Sequence, residues 1–294
     1  MRQDAAIRFD LQAHSTVSDG ALAPGAVVAA AARAGIELLA LTDHDATDGV
    51  DEALAAGAQA GIRVVPGAEL SVLDEQAEDF HVCAYLVDHR APGWIRALEE
   101  LRADRLARGL RMADALEDAG LELVREPLEA RAAAGRPVGR PHLAHAVLDA
   151  PGNAARLEAE GLVTVGSVIE AYLIPGRPGY RRRTMPTVSE AVGLIHDAGG
   201  VAVWAHPFWD LDEPEEVLAT LERFAGLGMD GVEAFYVTHT AGQTRLVAGR
   251  AQELGLLTTG SADFHGPEHA QFSRFGAFEL HGLEPRLGPI AQGP

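Results

Sequence analysis

The chain contains no lysine, and all 24 of its basic residues are arginine. That absence excludes a P-loop lysine, a Schiff-base lysine and a carbamylated lysine bridging two metals, and with them P-loop NTPases, lysine aldolases and lysine-bridged amidohydrolases. Cysteine is nearly absent as well. With Cys83 alone, neither an internal disulfide nor a cysteine-rich zinc site can be built. No apolar run approaches the roughly 18 residues that a membrane helix needs. The start, Met1 to Asp10, carries acidic residues where a signal peptide would have a basic stretch and an apolar core, so the expected location is the cytoplasm. Positive charge is also scarce: 24 basic against 43 acidic residues give a net charge of −19, which argues against a broad basic face for duplex DNA. What remains is ordinary globular material, 47% hydrophobic and 23% charged over 294 residues, enough for one large or two smaller domains. Any bound metal has to sit on carboxylates and on some of the 12 histidines.

The first ninety or so residues alternate short apolar runs with helical patterns. Strands are expected at Ile7–Leu11, Ile36–Leu41 and Ile62–Val65, and helices at Pro24–Ala34 and Asp48–Ala60, each followed by glycine. Asp48 reads as a helix cap. The rhythm returns near residue 187, with strands at Val201–Trp204, Gly231–Phe235 and Leu257–Thr258. Such βα repetition implies a parallel sheet or barrel. Between the halves, Pro92–Ala119 reads as a long helix, and no clear strand alternation follows before about Arg183. The expected division is a barrel from residues 1–91 and 184–294 with a helical insertion subdomain at 92–183.

In βα architectures chemistry gathers where strands end. Gln12, His14 and Asp19 follow the first strand; Asp43, His44 and Asp45 the second; Glu69 the third; and His81 opens the run Phe80–Leu86. His206, His239, Asp263 and His265 follow the later strands. Residues two apart on a strand share a face, so Gln12 with His14, and Asp263 with His265, can aim at common points. Taken singly, each is more often a cap, a turn former or a satisfied polar residue. Together, imidazoles and carboxylates suit Mn, Zn or Fe. His89, His196, His269 and His281 lack such companions and read as surface or structural residues, and Phe208 and Trp209 read as core more than as a stacking surface for a base.

The ordered motifs are Asp-Leu-x-x-His-Ser-x-x-Ser-Asp-Gly at 10–20, Leu-Thr-Asp-His-Asp-x-Thr at 41–47, Pro-Gly-x-Glu at 66–69, Gly-Arg-Pro-His at 139–142, Ala-Gly-Gly-Val-Ala-x-x-Ala-His-Pro at 198–207 and Ser-x-Asp-Phe-His-Gly at 261–266. With them the chain resembles the PHP (polymerase and histidinol phosphatase) family of metal-dependent phosphoesterases, in its look the small bacterial subgroup with a helical insertion that acts on nucleotides or RNA ends. The resemblance implies an α/β fold, a distorted seven-stranded (β/α) TIM-like barrel, holding two to three divalent ions. It implies one metal on Gln12, His14, Glu69 and Asp263, a second on Glu69, His81 and His206, and a third on Asp19, His44 and His265, the trio also taken as catalytic. One position departs: the family has His-x-His where this chain has Gln12-Ala13-His14.

The activity so implied is hydrolysis of a phosphate ester on a small phosphorylated substrate, a nucleotide or short RNA, by metal-activated water. Arg140 is the expected phosphate-binding arginine. His142 is expected to flank it, and His239 to meet the substrate from the barrel side. Without the family, Arg140 reads as a surface salt bridge, and the run Arg181–Arg183 as a solvated face. Two other classes stay open, a metallohydrolase cleaving an amide or lactone on the same barrel, and a non-catalytic scaffold with a degraded metal site.

Overall fold

The computed structural model describes residues 8–74, 78–135, 138–182, 184 and 186–293. Met1–Ile7, part of the N-terminal stretch read above, and Arg183, part of the basic run, lie outside them. The chain divides into two compact units, Met1–Leu98 with Pro186–Pro294, and Glu99–Met185.

In the first unit the described residues form a seven-stranded sheet in sequence order: β1 (Phe9–Asp10), β2 (Leu38–Leu41), β3 (Arg63–Leu73), β4 (Glu78–Tyr85), β5 (Val201–Trp204), β6 (Gly231–Tyr236) and β7 (Leu257–Ser261). The sheet curls into a nearly closed barrel. Beside β1 and β7, the Leu11 N–H donates to the Gly260 carbonyl at 3.1 Å and the His14 N–H to the Phe264 carbonyl at 2.8 Å. Helices flank the strands, and their ends follow local chemistry. Pro24 opens Pro24–Arg33, and Gly61, at φ 73°, closes Val50–Ala60. Gly49, one residue after Asp48, holds the N-cap position of that helix.

Two features depart from simple βα repetition. β3 runs on to Leu73, so Glu69 lies within a strand instead of after one. β4 then turns back, antiparallel to both β3 and β5. Because β4 is reversed, its beginning, with His81, lies at the barrel end where the parallel strands finish. Gly67 makes the β3–β4 pairing possible, since a Cβ there would come within 2.6 Å of the Ala84 carbonyl oxygen.

The barrel interior is filled by Phe9, Leu11, Leu38, Ala40, Val65, Cys83, Tyr85 and Val203, and Leu287 and Ile290 from the chain's end pack into the same cluster. The second unit has its own core, with Met112, Leu116, Leu143, Val147 and Leu173 among its buried members. No helix of the described residues is long and apolar enough to cross a membrane.

Candidate metal centre

Glu69, 1% exposed, is the hub of the site. Its Oε1 lies 2.7 Å from His81 Nδ1 and 3.1 Å from His206 Nε2, while its Oε2 lies 3.0 Å from His14 Nε2 and 3.4 Å from His44 Nδ1. Each carboxylate oxygen therefore faces two imidazoles. His14 Nε2 also stands 3.1 Å from Asp263 Oδ1. Farther out, the half-exposed Asp19 stands 3.6–3.7 Å from nitrogens of His14, His44 and His265. Three groupings able to hold a cation result: His14, Glu69 and Asp263; His44, Glu69 and His81; and His14, Asp19, His44 and His265.

The folding that aims these groups is local. Asp43, in the segment that carries His44, accepts from Ser15 N–H at 2.7 Å, Ser15 Oγ at 2.6 Å and Ser18 Oγ at 2.7 Å, so it ties down the loop bearing Asp19 and is spent as an anchor. The same loop presses Gly20 against the chain, where a Cβ would sit 2.3 Å from the His14 carbonyl oxygen. Three non-glycine residues here occupy the left-handed region, Asp45 at φ 49°, His206 at φ 31° and Asp263 at φ 52°. Strain of this kind persists where the surroundings over-determine a functional geometry.

Three further groups, absent from the sequence reading of the site, hold it from behind. Tyr236 donates its hydroxyl to Asp263 Oδ2 at 2.9 Å, leaving Oδ1 toward His14. Glu233, buried inside β6, accepts the His206 N–H at 2.9 Å and the Ser261 hydroxyl at 2.5 Å, and burial pushes its carboxyl up to about 8. Asp10 accepts N–H groups of Ala262 at 3.0 Å and Gly276 at 2.8 Å, and burial pushes it up to about 7. A carboxylate inside an apolar strand was the available signal for Glu233 and Asp10, whereas Tyr236 carried none.

Gln12 is fully buried beside His14, with neither atom of its amide hydrogen-bonded. His239 is buried too, its ring packed against Phe208 and Tyr236 and its Nδ1–H donated to the Ala234 carbonyl at 3.1 Å. It does not border the cavity of about 140 Å³ formed by the ligand candidates with Trp209, Tyr236 and Phe272. Trp209 is 53% exposed, which corrects its assignment to the core, and Phe208 is half-buried. His89 and His196 pair with Asp51 and Asp230, each at 2.8 Å, but His269 stands near the site, its ring 5.4 Å from that of His265. In the second unit Arg140 opens the helix Arg140–Leu148, and His142 Nδ1 accepts the Gly139 N–H at 3.1 Å, so that nitrogen secures the helix start. A larger cleft of about 690 Å³, lined by Arg245, Gln252, Thr258, Glu284 and Arg286 among others, holds none of the three ligand groupings found among the described residues.

The donor set fits divalent metal. His14 Nε2, Glu69 Oε2 and Asp263 Oδ1 are buried, converge within hydrogen-bonding distance and yet form no aligned hydrogen bond, a cost that a shared cation removes. Protons compete for the same atoms. Burial lowers the His206 imidazole, but Glu69 and Asp210 override it and raise it to about 10; Asp263 and Glu69 likewise lift buried His14 well above its ordinary value. Burial works to raise Glu69, yet the surrounding histidines hold it well below the usual carboxylate range. His206, raised from 6.5 to about 10, stabilises the metal-free fold fully below about pH 6.5, and that contribution is lost as pH rises through about 10. Adding Mn to the chelated protein at pH 7 should therefore release at least about one proton per molecule, read with an indicator dye in weak buffer. Binding without proton release would contradict this charge state.

Residues 10–122 match the PHP domain family. The chain is 33% identical to a 3',5'-nucleoside bisphosphate phosphatase of Chromobacterium violaceum over 260 residues, 88% of this chain and 87% of that one. It is 30% identical to a 5'-3' exoribonuclease of Haemophilus influenzae, over 88% of this chain and 90% of that one. Among solved structures, an amidohydrolase of Chromobacterium violaceum with bound sulfate and no metal superposes with a TM-score of 0.76 at 30% identity, covering 96% of this chain and 93% of the other. A metal-binding barrel of hydrolase type is the class so defined. Within it, the chain belongs to the PHP phosphoesterase family.

Proposed function

We infer that the protein hydrolyses a phosphate ester of a nucleotide or short oligonucleotide with two or three divalent ions, Mn, Zn or Fe. The observation that carries this is Glu69, with a pair of imidazoles on each carboxylate oxygen, an arrangement suited to a ligand bridging adjacent cations. His14, Glu69 and Asp263, with Gln12 beside them, would hold one ion; Glu69, His81 and His206 a second; and Asp19, His44 and His265 a third. Bound cations would supply an activated water and neutralise the phosphoryl oxygens. The chain's own part is to aim the imidazoles, keep Glu69 and Asp263 ionised against burial, and fix Asp263 through Tyr236. Support for the substrate class comes from the relatives, one named for a nucleoside bisphosphate and one for RNA.

The test is phosphate release from a panel of nucleoside monophosphates, nucleoside bisphosphates and short oligoribonucleotides, after chelation and with Mn added back. Full activity in verified metal-free protein would overturn the reading, and turnover of amides or lactones without phosphate release would favour a metallohydrolase of another kind on the same barrel. Arg140 stays in the proposal as the phosphate-binding arginine. Arg140→Ala should lower kcat/KM at least about tenfold, the worth of a lost charge-assisted contact, with metal content unchanged by elemental analysis. Unchanged kinetics would assign Arg140 to the surface.

A further inference from the structure

The metal chemistry uses no indole, yet one stands at the edge of the site. Trp94 and Trp204 are 2% and 0% exposed, whereas Trp209 is 53% exposed and borders the same cavity as His44, Glu69, His81 and His206. Its placement is tied to a ligand candidate. The one-turn helix Pro207–Asp210 begins directly after His206, whose carbonyl accepts the Trp209 N–H at 2.8 Å, and the left-handed backbone of His206 sets the turn. The ring is also backed. Phe272 lies 5.6 Å from it at 58°, and Phe272 is itself stacked on His269 at 5.0 Å and 22° and borders His265 at 5.5 Å. A chain of rings thus runs from the ligand cluster out to an indole with a free share of its surface.

The cavity offers about 140 Å³, room on the scale of a phosphoryl group. A nucleoside carried by that phosphate has to extend past the rim, and Trp209 is the exposed aromatic surface there. Stacking on an aromatic ring accepts any base, since every base presents a π-face. We propose that Trp209, held by Phe272, is the nucleobase-stacking residue that makes the enzyme prefer nucleotides to base-free phosphate esters. This rests on the phosphoesterase reading above and adds a specificity element to it.

The experiment compares Mn-loaded wild type, Trp209→Ala and Trp209→Phe on whichever nucleotide of the panel above wild type hydrolyses best and on ribose 5-phosphate. Trp209→Ala should lose about ten- to a hundredfold in kcat/KM on the nucleotide, mostly through KM. Activity on ribose 5-phosphate should stay within about twofold, and Trp209→Phe should recover most of the loss, as a stacking role requires. A second readout needs no turnover. Because the other two tryptophans are buried, nucleotide binding should quench the exposed tryptophan's fluorescence while inorganic phosphate leaves it unchanged. Equal losses on both esters, or none on either, would overturn the proposal, as would an absence of nucleotide quenching. If wild type releases phosphate from no nucleotide of that panel and not from ribose 5-phosphate, the phosphoesterase reading falls and this proposal with it. If wild type hydrolyses both and Trp209→Ala keeps the preference for the nucleotide, only the stacking role is overturned.

Discussion

Glu69→Gln is expected to lower phosphate-ester hydrolysis about a thousandfold or more and to strip at least about one equivalent of metal from the protein. The size follows from what Glu69 touches. Glutamine keeps the shape but loses the charge and turns one of two acceptor oxygens into an N–H₂ donor. That donor would be driven against either His81 and His206 or His14 and His44, depending on which way the amide is turned. A thousandfold corresponds to about 4 kcal/mol of transition-state stabilisation, the scale of removing one preorganised electrostatic contact from a buried site. Elemental analysis, turnover and circular dichroism on the same preparation check it. A folded variant that retains its metal and loses less than about tenfold would show that Glu69 bridges nothing.

Most of the barrel and of its ligand candidates were legible because both follow from short-range rules. The β2 and β5 runs, Leu38–Leu41 and Val201–Trp204, are apolar segments set among helical patterns, and His206 and Asp263 stand just past strand ends. β4 was only half legible. An apolar run from Phe80 to Leu86 looks the same whichever way it is traversed, so its antiparallel course, which places His81 against His206 with nitrogens 3.3 Å apart, had no local signal. Nor did the length of β3: the Pro66-Gly67 pair reads as a turn, yet the strand continues through it to Leu73. Among side chains, sequence reading grouped Asp43 with the potential ligands because aspartate after a strand serves either role. Only the positions of Ser15 and Ser18 decide that it anchors the loop. Trp209 went astray for a related reason. A tryptophan after His-Pro is apolar whether it faces the core or the mouth of the barrel, and burial is decided by the chain that covers it, not by the residue itself.

Gln12 is where this chain departs from its family's His-x-His, and its surroundings sharpen what the change should do. The side chain is fully buried and both amide atoms lack a hydrogen-bond partner, a state costing about 1–3 kcal/mol when nothing compensates. Coordination of a cation through Oε1 would offset part of that cost. A neutral amide oxygen is nevertheless a weaker donor than imidazole toward Mn, Zn or Fe, so the ion on His14, Glu69 and Asp263 should be the loosest, dependent on added metal or on substrate phosphate. Gln12→His is expected to tighten that ion about ten- to a hundredfold and to raise turnover when metal is limiting. Gln12→Leu separates coordination from packing. If the amide binds metal, the leucine variant loses that ion; if it does not, the variant keeps its full metal content and gains stability by removing an unpaired buried amide. Metal titration of the three forms by elemental analysis, with thermal unfolding measured in chelator, reads both effects. A wild type that already holds every ion tightly, with no gain in the histidine variant and no loss in the leucine variant, would remove Gln12 from the metal centre.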